Sequence, residues 1–166
     1  MSAKSYTGTC LCNAVTYRID LPDSTTPKVL IAILQSPSSH QSFTDLQLVI
    51  LCHCVNCKRY TGSGFSANIA VPKTSLHWTK GQPKLYIDRS EHGAAVPRMF
   101  CGDCGTPFTS EPSGQDKVII IKTGTLDDPY RDECGELAME IWCVRKDKWV
   151  EQMKDEKITR LDKSMG

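Results

Sequence analysis

Nowhere does the chain run to the roughly twenty consecutive apolar residues that span a bilayer, and no basic segment followed by a long apolar run opens it. Neither sign of charge is in excess: the formal net charge is +1, with acidic and basic residues scattered. That balance argues against nucleic acid or an anionic membrane as a partner. There is no long amphipathic helix and no internal repeat beyond short, recurring cysteine pairs. The expectation is a soluble, cytoplasmic protein. With 166 residues it makes one domain, long enough to bury a core without metal as scaffolding.

Cysteine is what the chain has in quantity. Nine are present, and an odd number in short-spaced pairs, with no signal peptide, favours reduced metal ligands over disulfides. The densest stretch is Leu51 to Ser63, which sets Cys52, Cys54 and Cys57 beside a small-residue turn. The two-residue gap from Cys54 to Cys57 is that of a zinc knuckle, whose turn lets both sulfurs reach one ion. Cys101 and Cys104 repeat the gap in a Cys-x-x-Cys-Gly form, where the glycine frees the backbone for a tight metal turn. Cys10 and Cys12 open a stretch in which Val15, Tyr17 and Ile19 alternate as on a half-buried strand, and on a regular strand residues two apart face one side.

The paired cysteines sum to seven, and seven divides into a closed four-thiolate site and a three-thiolate site with an open position, a structural and a catalytic zinc. Spacing does not decide which pairs share an ion. Cys54/Cys57 with Cys101/Cys104 would make an ordinary zinc ribbon, and His53, Cys134 or Cys143 as an eighth ligand would close both sites. Taken alone, Cys134 reads as a solvated thiol and Cys143 as a core residue. His40 reads as a loop residue, and His77 and His92 lack ligand-like spacing.

Strands are expected at Leu46–Leu51, Phe65–Val71, Leu76–Trp78, Leu85–Ile87, Val118–Ile121 and Leu137–Val144. The proline-punctuated stretch 21–42 reads as an insertion within a domain spanning 1–153, and 154–166 as a charged, frayed tail.

In order, the motifs Gly8-Thr-Cys-Leu-Cys-Asn-Ala-Val-Thr-Tyr17, Cys52-His-Cys-Val-Asn-Cys57 through Gly62-Ser63, Arg98-Met-Phe-Cys-Gly-Asp-Cys-Gly-Thr106 and Gly124-Thr-Leu-Asp-Asp-Pro129 resemble the family of glutathione-dependent formaldehyde-activating enzymes, which also includes centromere protein V. The resemblance implies a mainly β, single zinc-containing domain of Mss-four-like type, with antiparallel sheets and little helix. It implies two zinc ions per chain: a structural one on Cys10, Cys12, Cys101 and Cys104, and a second, open one on Cys52, Cys54 and Cys57. The implied activity joins glutathione to formaldehyde as S-hydroxymethylglutathione, so the expected function is that of a zinc-dependent carbon–sulfur lyase handling a thiol adduct of a small aldehyde, in detoxification. Two alternatives stay open: elimination, hydration or isomerisation of another small molecule, and a non-catalytic binding module.

Lys58, Arg59 and Arg98 flank the metal loops and are the candidates for substrate anions, with plain surface cations as the competing reading. The expected partner is glutathione or a thiol conjugate; a homo-oligomer is left open. Three departures from the family's pattern stand out: the long gap from Cys12 to Cys52, Lys58 where arginine is usual, and Glu140-Ile-Trp where a histidine-containing segment is common. Asp127, Asp128 and Glu140 are the acids near enough in motif to carry protons, though the first two equally suit a turn before Pro129.

Overall fold

The computed structural model of the chain describes residues 4–21, 48–133, 136–150 and 159–162. Stretch 21–42 lies outside these residues apart from Leu21, as do His40 and Cys134.

Period-two alternation and β-branched runs become strands in two sheets, although the run expected through Val144 stops at Ile141, where Trp142 takes a φ of 61° and Cys143–Arg145 form a short helical turn. The smaller is three-stranded, with order β1 (Lys4–Thr9), β2 (Thr16–Leu21) and then β5 (Leu76–Lys80). The larger has eight strands, ordered β11-β10-β3-β4-β9-β8-β7-β6. These are β3 (Leu48–Cys52), β4 (Ser66–Pro72), β6 (Lys84–Arg89), β7 (Ala95–Phe100), β8 (Pro107–Ser110), β9 (Val118–Lys122), β10 (Glu136–Ile141) and β11 (Thr159–Arg160). Among the described residues helix is scarce, being α1 (Val55–Thr61) and the single turn α2 (Tyr130–Glu133).

Most pairings are antiparallel, but β10 runs parallel to both β3 and β11. The large sheet is therefore mixed rather than purely antiparallel, because the chain leaves β9 in the middle of the sheet and passes β4 and β3 before β10 joins beside β3. Within the stretch expected to fray, Thr159 and Arg160 pair with Met139 and Glu140. Among the described residues no helix is long and apolar enough to cross a membrane.

The core lies where the two sheets meet. β2 alternates, burying Tyr17, Ile19 and Leu21, whereas β9 buries Ile119 and Ile121 on one face and Val118 and Lys122 on the other, as a strand covered on both faces does. Tyr17, Trp78 and Phe108 meet edge to face, with ring centroids 5.2–5.8 Å apart. Gly8 is required by a close approach: a Cβ there would sit 2.2 Å from Tyr17 Cζ and 2.5 Å from the Thr125 carbonyl. The Tyr17 hydroxyl bonds Thr125 Oγ1 at 2.8 Å, so the Gly124-Thr-Leu-Asp turn is held onto β1 and β2.

One local expectation is corrected. Cys10 and Cys12 stand in the turn between β1 and β2, not on a regular strand. Asn13, at a φ of 59°, reverses the chain there, and bonds from Asn13 N–H to the Cys10 carbonyl and from Cys10 N–H to the Val15 carbonyl close the turn. Asparagine tolerates that left-handed conformation better than most residues.

Candidate metal centres

Two cysteine clusters form, each within 4.8 Å between every pair of sulfurs. One comprises Cys10, Cys12, Cys101 and Cys104; the other comprises Cys52, Cys54 and Cys57. In the first, the β1–β2 turn meets the turn joining β7 to β8. Cys12 Sγ lies 3.6 Å from Cys10 Sγ and 3.7 Å from Cys101 Sγ. A tetrahedron with metal–sulfur bonds of about 2.3 Å has edges of about 3.8 Å, so this spacing fits a zinc-sized ion. The ribbon pairing of Cys54/Cys57 with Cys101/Cys104 does not occur.

In the second cluster β3 delivers Cys52 at its end. Cys54 caps α1, its sulfur accepting the Cys57 N–H at 3.3 Å, and Cys57 sits in the first turn of that helix. Gly62, at a φ of 63°, ends the helix in the left-handed conformation glycine favours. Trp142 and Ile141 pack against the cluster. Among the described residues no fourth Cys, His, Asp or Glu ligand atom joins these three sulfurs.

The electrostatics suit a divalent cation at both places. Hydrogen bonds from Cys52 and then Cys54 hold the Cys57 thiol far below its ordinary value, with the charges of Lys122 and Arg98 adding to the effect. Cys52 is pushed up, first by the same bonds to Cys54 and Cys57 and then by burial. In the other cluster bonds from Thr106 bring Cys104 down to about 5. The Ala14 N–H lowers Cys12, yet bonds with Cys10 and Cys104 outweigh it and Cys12 rises to about 12. Thiols this close cannot all carry charge unless a cation sits among them, and an all-sulfur donor set is what zinc takes in such sites.

Of the three cations expected to meet substrate, Arg59 is exposed and forms no ion pair among the described residues. Lys58 is engaged, donating to Asp147 Oδ1 at 2.6 Å and to the Arg145 carbonyl at 2.7 Å. Arg98 is no surface cation: it is buried, pairs with Asp88 at 2.7 Å, and lies over the Tyr60 ring. Asp88 also accepts from Asn56 Nδ2 in α1, so β6, β7 and the cysteine helix are tied together.

Lys122 was not singled out from the sequence. Buried at the end of β9, it donates to Asn68 Oδ1 at 2.7 Å and Ser110 Oγ at 3.1 Å, and burial lowers its pKa to about 8 against the opposing pull of Cys57. A lysine closing an apolar strand was the one visible signal.

Glu140 is not placed to carry a substrate proton. It is fully buried, with Oε2 3.1 Å from His53 Nε2 and 2.6 Å from Lys146 Nζ. His53 points to that carboxylate and not to the sulfurs, so it does not close the three-cysteine cluster. Cys143 does not close it either; its thiol lies 3.5 Å from the Glu140 carbonyl. Asp127 and Asp128 line a polar surface cavity with Cys10 and Thr106, beside the four-cysteine cluster.

Comparison with known proteins is consistent with this architecture. No curated protein matches the chain. A crystal structure of a Rhodobacter sphaeroides protein is similar in fold, with a TM-score of 0.50 at 18% identity, covering 79% of this chain and 96% of that one. The family model described as glutathione-dependent formaldehyde-activating enzyme matches residues 40–145, a span that takes in the three-cysteine cluster, Cys101 and Cys104, the Gly-Thr-Leu-Asp turn and Glu140. The chain belongs to the glutathione-dependent formaldehyde-activating enzyme family.

Proposed function

We propose that the chain is a zinc-dependent carbon–sulfur lyase that forms and breaks the bond between a thiol, glutathione first among them, and a small aldehyde. The observation that carries this reading is the contrast between four sulfurs in one cluster and three in the other, with no fourth ligand atom among the described residues. Cys52, Cys54 and Cys57 would hold the working zinc, and Cys10, Cys12, Cys101 and Cys104 a structural one. A zinc on three thiolates is a soft centre that would lower the pKa of a substrate thiol.

In the adduct-forming direction a sulfur lone pair makes the carbon–sulfur bond, the carbonyl π pair moves to oxygen, and the thiol proton ends on that oxygen; the reverse returns thiol and aldehyde. The chain's own part is electrostatic. Lys122 and Arg98 place positive charge near Cys57, which offsets the accumulated thiolate charge and eases the approach of an anionic sulfur. Arg59 is the outer contact for a substrate carboxylate. Lys58 fixes the helix against Asp147, and Arg98, whose Nη1 is buried with no hydrogen-bond partner, is the inner anion contact.

The test follows ¹³C-formaldehyde and glutathione by exchange NMR with zinc-loaded protein. Acceleration of exchange that Cys54→Ser abolishes, with one zinc per chain retained, is the expected result. Undiminished acceleration by Cys54→Ser overturns the reading. A second reading draws on the Glu140-Ile-Trp segment, where the family commonly has histidine: the same centre would act on a non-thiol molecule by elimination, hydration or isomerisation. Thiol-independent turnover of such a molecule, without glutathione exchange, would favour it.

A further inference from the structure

β6 ends the large sheet, with β7 as its only neighbour among the described residues. Three consecutive large residues on it are open to solvent, Leu85 at 57%, Tyr86 at 60% and Ile87 at 51% exposure. An edge strand of this kind is a template for pairing with another chain unless something blunts it.

The hydrogen-bond directions of the strand follow from its partner. Ile87 stands opposite Pro97, which has no N–H to give and whose carbonyl accepts from Glu111 N–H at 2.9 Å, on the β8 side. Ile87 and Pro97 are therefore a non-hydrogen-bonded pair, and the N–H and C=O of Ile87 point away from β7. By the same alternation Leu85 and Arg89 also point outward. The Arg89 carbonyl is already taken by Asn56 Nδ2 at 2.8 Å and its N–H by Asp88 Oδ1 at 2.8 Å. Only Leu85 and Ile87 are left to pair.

We propose that two copies of this chain join their β6 strands antiparallel about a two-fold axis through Tyr86. In that register Leu85 of each copy faces Ile87 of the other, so the two outward-pointing positions meet as hydrogen-bonded pairs, each exchanging two bonds. Tyr86 faces its own counterpart. Lys84 faces Asp88 of the second copy on the same side of the sheet, an opposite-charge cross-strand pair. Pro83 falls opposite Arg89, so the residue that cannot donate meets the carbonyl that needs no donor.

Of the other two centres, one at Ile87 pairs Leu85 with the already occupied Arg89 and sets Tyr86 against Asp88, and one at Leu85 leaves Ile87 facing Pro83, which has no N–H to give. Strand complementarity with itself thus selects both the partner, a second copy, and the register. The interface adjoins the three-sulfur site through Asp88, but it does not depend on the reaction proposed there.

The test is sedimentation of the zinc-loaded full chain over a concentration series. A species of twice 18.5 kDa is expected for the wild type. Ile87→Pro removes one outward N–H per copy without costing a β6–β7 bond, and it is expected to sediment as a monomer with an unchanged circular dichroism spectrum. Lys84→Glu, a surface change that sets like charges across the axis, is expected to weaken dimerisation at least tenfold and decides the matter should Ile87→Pro misfold. A wild type that stays monomeric at the highest concentration, or an Ile87→Pro or Lys84→Glu variant that dimerises as tightly as the wild type, overturns the proposal.

Discussion

Glu140→Ala is the substitution through which the buried polar cluster can be weighed. The carboxylate has no solvent exposure and accepts from Lys146 at 2.6 Å and His53 at 3.1 Å, with Arg160 Nε 3.7 Å from its other oxygen. Breaking a buried ion pair by removing one partner costs about 3–5 kcal/mol, because the remaining charge is stranded. Here Lys146 and Arg160 keep side-chain exposures of 15% and 25%, so both can turn toward water, whereas His53 cannot. The cost should fall at or below the lower end of that range, about 2–3 kcal/mol. For a chain of this length each kcal/mol moves the melting temperature by about 2–4 °C, giving a fall of roughly 4–12 °C by calorimetry on the zinc-loaded protein. Glu140→Gln keeps the shape and one acceptor oxygen and should lose less. Burial works to raise the Glu140 pKa, but the bonds from Lys146 and His53 outweigh it and hold it below the ordinary value. Its contribution is therefore present above the unfolded carboxyl range, about 4.3, and is lost as pH falls through the lower folded value; Glu140→Gln should flatten that acid limb. A change within about 0.5 kcal/mol for Glu140→Ala, the range of an uninvolved surface site, would refute the reasoning.

Two further changes probe the frame and the charge around the sulfurs. Gly8→Ala sets a methyl 2.2 Å from Tyr17 Cζ and 2.5 Å from a backbone carbonyl, so urea denaturation should show a loss of about 1–3 kcal/mol, typical of overpacking; an unchanged midpoint would mean the turn over β1 yields freely. Lys122→Met removes the buried cation whose charge acts on Cys57, Cys52 and Cys54. Chelator competition should show zinc held about 10–100-fold less tightly at one of two sites, as for other residues that support ligands from behind. Equal loss at both sites would point instead to general loosening of the fold.

Much of this protein is legible in its sequence because its chemistry is local. Cys52, Cys54 and Cys57 lie within one turn of chain, and Cys101 with Cys104 within another, so the sulfurs announce themselves by spacing. Phe65–Val71 carries its own periodicity and Val118–Ile121 is a short continuous apolar run, and they reappear as β4 and β9. What could not be read is everything set by register between distant strands. Arg98 looks like a surface cation until β6 brings Asp88 beside it, and Lys122 looks like the end of a strand until β9 is laid beside β4 and β8. Glu140 reads as an acid able to carry a proton, yet the parallel pairing of β10 with β3 turns it onto His53. The placement of Cys10 and Cys12 was missed for a local reason: their two-residue spacing suits a strand as well as a turn, and the positive φ of Asn13 decides for the turn.

The most direct test of the central claim is the visible spectrum of cobalt-substituted protein titrated with glutathione, since cobalt reports a ligand exchange that zinc conceals. A saturable change in the ligand-field bands, lost in Cys54→Ser while the bands of the four-cysteine site persist, is the result the three-sulfur account predicts. A spectrum that glutathione leaves unchanged at every concentration would contradict it.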